Sequence, residues 1–382
     1  MTDRTDRQPA AGKSRHDAEW DMAKGLVYLV TGGCGYIGEH IVKLLAAENY
    51  VKEVRVFDIS ATFDVTKLST ASTTVTLVKG DITDVDQVYK AMEGVQVVIH
   101  TAALVDYMDL FPYSKMESIN VGGTSNIIKA CMAKDVTYLV YTSSIAAVGP
   151  NTCNEPMLRG TEETVYTGEL RLLYGRTKAA AENLVRQANG TLMAHGKKLV
   201  TCVIRPSNLY GEKTASFLES YKSAKSKNGR LNYVEPDDID QGYAYVGNVA
   251  WMHVLAARQL QRKPELMGGQ VYYTYDDTPM RQRFKLLHSL YSSFDPSIQL
   301  GSRIPYWKMW LIISIFNIVA FLVKPFWKLK PFMTLDILNY LVITFSYNTD
   351  KASRHFGYQP KYSWAEAKVR TCKWLKEATI QG

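Results

Sequence analysis

Leu26-Val27-Tyr28-Leu29-Val30-Thr31-Gly32-Gly33-Cys34-Gly35-Tyr36-Ile37-Gly38 is the stretch that decides the fold of this chain. Leu26 to Val30 form a short unbroken apolar run, as expected of a strand buried on both faces of a parallel sheet. A helical pattern from Tyr36 to Glu48 follows. Between strand and helix, Gly32, Gly35 and Gly38 stand at Gly-x-x-Gly-x-x-Gly spacing. A tight turn needs one glycine, close approach to a pyrophosphate another, and packing of helix on strand the third. The amides and positive dipole end of the helix, at Tyr36 and Ile37, then meet the phosphates. Spacing alone is weak, and a structural glycine turn is the bland alternative. Here, however, Asp58 ends the next apolar strand, Val54 to Phe57, twenty residues after Gly38. A carboxylate there accepts hydrogen bonds from ribose hydroxyls and repels a 2′-phosphate. Neither Ile59 nor Ser60 supplies a cation, so the pattern predicts NAD in preference to NADP.

Working outward, apolar strands at 75–78, 95–100, 138–141 and 199–204 alternate with helical patterns at 84–92, 113–133 and 174–187. That alternation implies right-handed crossovers and a doubly wound parallel α/β sheet, a Rossmann fold. Asp81-Ile82 fall where the loop after the third strand meets an adenine ring, and Thr101-Ala102-Ala103 leave room for a cofactor to cross the sheet edge. Past Arg205 the texture changes to short apolar pieces among Gly, Pro, Asp and Ser. The chain is therefore divided into a polar tail (1–24), an NAD-binding domain (25–205), a smaller substrate lobe (206–303), a membrane-associated helical segment (304–330) and the C-terminal part of the lobe (331–382).

Tyr174 and Lys178 stand four apart on one helix face. A phenol ordinarily titrates near pH ~10, too high for a base near neutrality, and an adjacent ammonium lowers that value. The same spacing occurs at Tyr221/Lys225, in a basic solvated run, and at Tyr347/Lys351, in a strand or loop. What singles out Tyr174 is Tyr141-Thr142-Ser143-Ser144, closing a strand thirty residues upstream. The Ser144 hydroxyl there can bond a substrate oxygen as charge develops on it. Asn120, in Asn120-Val121-Gly122-Gly123-Thr124, can hold a water or a backbone group of the relay.

Taken in order, the glycine turn, Asp58, Asn120-Val121-x-Gly123-Thr124, Tyr141-Thr142-Ser143-Ser144, Tyr174-xxx-Lys178 and Arg205-Pro206-xxx-Tyr210-Gly211 resemble the extended short-chain dehydrogenase/reductases. Tyr245-Val246-Gly247-Asn248-Val249-Ala250-Trp251, Gly268-Gly269-Gln270-Val271-Tyr272-Tyr273 with Asp276-Asp277, and Phe356-Gly357-Tyr358 with Tyr362-Ser363-Trp364 narrow the likeness. They resemble the 3β-hydroxysteroid dehydrogenase/Δ5-isomerase family. Val246 to Arg258 and Arg354-His355-Phe356 look most like its branch acting on twenty-seven-carbon oxysterols. The resemblance implies that Tyr174 takes the 3β-hydroxyl proton while hydride passes to NAD. It implies that Lys178 lowers the tyrosine's pKa and binds nicotinamide ribose, that Ser144 orients the oxygen, and that Arg205-Pro206 lie beside the nicotinamide. A Δ5-to-Δ4 shift follows from acidity created by the 3-ketone. Some relatives carry a second Tyr-xxx-Lys proposed for that step, where this chain reads Leu287-His288-Ser289-Leu290-Tyr291-Ser292.

Lys plus Arg exceed Asp plus Glu by 45 to 37, a net +8 over 382 residues. That is mild, consistent with an anionic surface or ligand and not with a nucleic-acid groove. Five widely spaced cysteines without a Cys-x-x-Cys pair point to reduced thiols and to no bound metal. Met309 to Val323 is apolar except for Ser314 and Asn317, and as a helix spans about 22 Å against a hydrocarbon core of about 30 Å. Its flanks, Tyr306-Trp307-Lys308 and Lys324-Pro325-Phe326-Trp327-Lys328, are aromatic and basic, as at a lipid interface. Joined to the family resemblance, these features imply a sterol substrate, membrane lipid as partner, an endoplasmic reticulum membrane ahead of a mitochondrial one, a catalytic domain facing the cytosol, and room for a homodimer. The rival readings are a sterol 4-carboxylate 3-dehydrogenase, a sugar-nucleotide epimerase or dehydratase gripping diphosphate with Lys222, Lys225, Lys227 and Arg230, and a non-catalytic NAD sensor.

Overall fold

The structure, a computed structural model, describes residues 25–327 and 329–381. The segment 1–24, read above as a tail, and Lys328 of the basic flank lie outside the described residues. The strands β1 (Leu26–Thr31), β2 (Val51–Asp58), β3 (Thr74–Lys79), β4 (Val97–His100), β5 (Tyr138–Thr142), β6 (Val200–Arg205) and β7 (Val271–Tyr273) form one sheet in the order β3-β2-β1-β4-β5-β6-β7. Every neighbouring pair in it is parallel. The strand order reverses between β1 and β4, and a doubly wound sheet opens its ligand crevice at such a point.

Alternate residues of each strand serve opposite faces, as the two-residue pleat requires. Val30, Ile99 and Val140 pack on one side, Leu29, Val98 and Leu139 on the other. Besides the short helices Pro264–Met267 and Lys351–Phe356, the α-helices are α1 (Tyr36–Ala46), α2 (Val85–Ala91), α3 (Tyr113–Glu117), α4 (Gly123–Ala133), α5 (Leu173–Ala188), α6 (Ala215–Ser226), α7 (Val246–Arg262), α8 (Arg283–Phe294), α9 (Tyr306–Val323), α10 (Leu335–Val342) and α11 (Trp364–Gln381). Ile41, Val42 and Leu45 of α1 and Met252, Val254 and Leu260 of α7 cover the first face. Val88 of α2, Ile127 and Cys131 of α4, and Ala181 and Val185 of α5 cover the second. Each such aliphatic side chain contributes about 1.5–3 kcal/mol on burial.

Two expectations need correction. The division at residue 205 does not hold in space, because α7 and β7 belong to the sheet layer. Helix α7 is buried along nearly its whole length, so its sequence lacks the polar stripe that marks a covering helix. The helix expected over 113–133 is also interrupted, by a wide π-helical turn at Ser118–Gly122 that carries Asn120. The remaining lobe has its own core of Tyr210, Phe217, Leu231, Leu286, Leu290 and Leu375.

Candidate active site

The glycine turn is built as its spacing implies. Gly32 has φ +67°, and a Cβ there would sit 2.7 Å from the backbone of Ala102, so only glycine lets β1 turn this close to the loop after β4. A Cβ on Gly38 would lie 2.1 Å from the Gly32 carbonyl oxygen, which ties α1 to the turn. A Cβ on Gly35 would meet nothing within 4 Å except that same oxygen at 3.0 Å, and Gly35 lines the main cavity. Open space over a backbone amide at a helix N-terminus is what a pyrophosphate needs. Asp58 accepts hydrogen bonds from the N–H of Cys34 at 2.9 Å and of Ser60 at 3.1 Å. These fix its carboxylate at the cavity edge. Gly32, Tyr36, Ile37, Gly38, Asp58, Asp81, Ile82, Thr101, Ala102, Ala103 and Pro206 all line the same cavity, of about 1380 Å³. One drug-sized ligand takes ~300–1,000 Å³. The space suits a dinucleotide and a second ligand together.

Ser144, Tyr174 and Lys178 line the same cavity. Helix α5 presents Tyr174 and Lys178 from one face, and Ser144 caps the short turn after β5 by accepting the N–H of Ala146 at 3.1 Å. Lys178 is only 2% exposed. Its ammonium donates to the Thr142 carbonyl at 2.6 Å and lies 4.3 Å from the centre of the Tyr141 ring. Burial brings its pKa down to about 7, against a smaller opposing pull from Glu182. Burial holds the Tyr174 phenol well above its ordinary value, reinforced by the neighbouring phenols of Tyr107 and Tyr141 and partly relieved by the Ser144 hydroxyl. At rest the tyrosine is therefore a neutral proton donor. It serves as a base only as the phenolate, which additional positive charge in the cavity favours.

Two predicted residues lie outside the cavity lining. Arg205 does not line the cavity: its guanidinium pairs with the buried Glu182 and donates to the Tyr273 hydroxyl at 3.2 Å. Glu182 in turn accepts from Ser143 at 2.7 Å, so Arg205 braces the end of β5 from below. Asn120 is likewise no lining residue. Its amide oxygen accepts the Leu104 N–H at 2.7 Å, and its nitrogen donates to the Leu104 carbonyl at 3.0 Å and to Thr177 Oγ1 at 2.9 Å. It is a positioning residue that clamps the loop after β4 to α5. A buried chain supports it: the Thr124 hydroxyl donates to the Asn120 carbonyl at 2.6 Å and accepts from His100 Nε2 at 3.0 Å, and His100 Nδ1 meets Thr31 Oγ1 at 2.6 Å. Burial, with Lys178 nearby, lowers the His100 pKa to about 3, so the ring is a neutral connector.

The other Tyr/Lys pairs are structural. Tyr221 is buried in the lobe and donates to Asp295 at 2.6 Å, a correction to its expected solvated setting, while Lys225 pairs with the same carboxylate at 3.0 Å. Tyr347 stacks on Tyr273 at 4.4 Å. Lys227, Arg230 and Arg283 line the cavity, whereas Lys222 and Lys225 do not. Sequence reading missed Tyr107, whose ring meets Tyr174 edge-on at 5.1 Å and whose hydroxyl also faces Ser144. It missed the apolar wall of Phe332, Met333, Ile337 and Leu341 as well. Tyr107 stands in a loop with no periodicity, and nothing in one sequence marks it out.

A glycine-rich crevice at the switch point, leading to a buried tyrosine, lysine and serine, defines an NAD-dependent dehydrogenase with the extended short-chain fold. Comparison with known proteins narrows the class. The sequence pattern of the 3-beta hydroxysteroid dehydrogenase/isomerase family matches residues 29–305, and the chain belongs to that family. It is 40% identical to human 3 beta-hydroxysteroid dehydrogenase type 7 over 372 residues, covering 95% of this chain and 99% of that protein. It is 37% identical to the 3 beta-hydroxysteroid dehydrogenase/Delta 5-->4-isomerase of vaccinia virus (strain Western Reserve) over 357 residues, 92% and 99% of the two chains. Among solved structures, Thermus thermophilus UDP-glucose 4-epimerase in complex with NAD shares the fold, with a TM-score of 0.64 at 21% identity over 92% of this chain and all of that one.

Proposed function

We propose that this chain oxidises the 3β-hydroxyl of a twenty-seven-carbon Δ5-sterol to the 3-ketone at a cytosol-facing membrane of the endoplasmic reticulum, and that the Δ5-to-Δ4 shift follows in the same cavity. The observation that carries the reading is the meeting of Tyr174, Lys178 and Ser144 in a cavity that holds a dinucleotide crevice on one side and an apolar wall on the other. NAD, when bound, would accept the hydride from C3 and would add its positive charge to that of Lys178. Lys178, on the same helix face, stabilises the phenolate form of Tyr174, Ser144 holds the substrate oxygen, and the phenolate Oη takes the hydroxyl proton and becomes the neutral phenol. The 3-ketone then acidifies C4. A proton must leave there and another arrive at C6, and Tyr107 and Tyr174 are the titratable pair beside Ser144 to which we assign that transfer. Of α8, where relatives carry the second Tyr-xxx-Lys, Leu287, Leu290 and Tyr291 pack into the lobe core and Arg283 alone reaches the cavity.

A sugar nucleotide would leave the apolar wall facing a polar ligand, which opposes the epimerase reading. The exposed apolar surface of α9 favours membrane attachment. Purified protein given NAD and Δ5-3β-hydroxysterols tests the proposal, with NADH and enone read by their separate ultraviolet absorbances. Both should appear. NADH without enone removes the isomerisation, and turnover of UDP-sugars without any sterol oxidation overturns the whole reading.

A further inference from the structure

Helix α9 leaves the lobe and the chain comes straight back to it. Just before α9, Gln299–Arg303 pairs with Arg230–Tyr233, and just after α10, Phe345–Tyr347 pairs with Met157–Gly160. Both ends of the excursion are thus anchored in the same body. The two limbs are also joined side by side. Met309 and the fully buried Ile313 pack on Leu338 of α10, Tyr306 donates to Asn339 Oδ1 at 2.9 Å, and the rings of Phe316 and Phe332 meet edge-on at 5.7 Å. For α9 to cross a bilayer these contacts would have to be pulled apart.

Beyond Ile313 the helix has no buried residue. Ile318, Phe321 and Leu322 are 60%, 75% and 66% exposed, and Phe326 and Trp327 in the following turn are 78% and 71%. The charges between Tyr306 and Trp327 are Lys308 and Lys324, one at each end of the helix, and there is no acidic residue. An apolar helix with Lys and Trp at both ends, held against the protein along one side, lies in the plane of one leaflet with its ends at headgroup level.

The return limb connects that surface to the chemistry. Ile337 packs against the cluster that contains Tyr174 and Met116, while its neighbour Leu338 faces Ile313. Phe332, Met333 and Leu341 of the same limb wall the cavity, and Phe332 is half exposed on its outer side. One layer of side chains separates the catalytic tyrosine from the lipid-facing helix.

We infer that α9 docks in-plane on an anionic bilayer and that the Phe332–Leu341 limb forms a portal through which sterol passes laterally from the leaflet to Tyr174, without entering water. This deepens the sterol-oxidising reading above and rests on it. The occupant of the exposed face is lipid. A second copy of this chain is the alternative that the experiment separates.

The test uses the full chain with phosphatidylcholine vesicles containing phosphatidylserine and a 3β-hydroxy-Δ5-oxysterol, beside a triple variant, Ile318→Glu, Phe321→Glu and Leu322→Glu. None of these residues lines the cavity. Wild type should float with the vesicles, and its initial rate should follow the mole fraction of sterol in the membrane, staying constant when vesicles are diluted at fixed mole fraction. The variant should stop floating and lose about tenfold or more in rate on vesicle-held sterol, equivalent to ~1.4 kcal/mol. In detergent it should oxidise a side-chain-free 3β-hydroxy-Δ5 steroid as wild type does, which shows that it is folded.

A variant that still floats, or one that leaves the vesicles yet oxidises their sterol at the wild-type rate, overturns the inference. So does a wild-type rate that follows bulk sterol concentration. A variant that floats but changes from dimer to monomer assigns the face to a second copy. A wild type that oxidises neither probe sinks the sterol reading itself, and flotation still decides the docking.

Discussion

Replacing Lys178 with methionine should destroy activity and yet remove a burden on the fold. The ammonium is buried, with the Thr142 carbonyl and the Tyr141 ring as its close partners. Burial brings its pKa from 10.5 to about 7. In the unfolded chain the group keeps its higher value, so between pH ~7 and ~10 the unfolded state binds more protons and stability rises with pH. At ~1.36 kcal/mol per unit, the shift costs the unliganded protein about 4 kcal/mol at pH 7 and about 2 kcal/mol at pH 9. Methionine fills much of the same volume without the charge, but leaves the Thr142 carbonyl without its donor, a loss of about 1–3 kcal/mol. The net expectation at pH 7 is a variant about as stable as wild type or stabler by a few kcal/mol. Urea unfolding followed by tryptophan fluorescence at pH 7, 8 and 9 reads both quantities. Wild type should gain about 2 kcal/mol across that range and the variant none of it, while sterol oxidation falls by at least about 100-fold. The same pH slope in both proteins would refute the assignment of a strained, buried ammonium.

Three further outcomes follow from named contacts. Gly38→Ala puts a Cβ 2.1 Å from the Gly32 carbonyl oxygen, so the NAD Kd measured by calorimetry should rise about 100-fold or more, ~2.7 kcal/mol. Asp58→Ser removes the like charge that meets a 2′-phosphate, and the ratio of kcat/KM for NADP to that for NAD should climb about 10–100-fold. Asn120→Ala strips the Leu104 backbone and Thr177 of their partner, so unfolding free energy should drop by about 1–3 kcal/mol and kcat should fall more than NAD affinity.

Local patterns made much of this readable in advance. The glycine turn, Asp58 and the Tyr174/Lys178 pair are fixed by spacing within one loop or one helix, and the structure places them on one cavity. What stayed hidden depends on distant segments. Arg205 has the right position at a strand end, but Glu182, arriving from α5, holds its side chain. Asn120 lies in the right motif, but the wide turn at Ser118–Gly122 aims it at Leu104 and Thr177. Strand β7 is three residues long and comes after a helix buried along nearly its whole length, so neither carried a boundary signal. The apolar segment near residue 310 was evident by composition. That it folds back on Leu338 of α10, whose neighbour Ile337 touches the Tyr174 cluster, is a property of packing between limbs.

The account rests on Tyr174 as the group that takes the hydroxyl proton. Tyr174→Phe removes only that oxygen and keeps the ring in its contact with Tyr107. Calorimetric titration of the variant with NAD, beside NADH formation from a Δ5-3β-hydroxysterol, measures the claim directly. NAD affinity should stay within about twofold of wild type while oxidation falls by about 1,000-fold or more. Substantial NADH formation by the variant, with NAD bound normally, would contradict it.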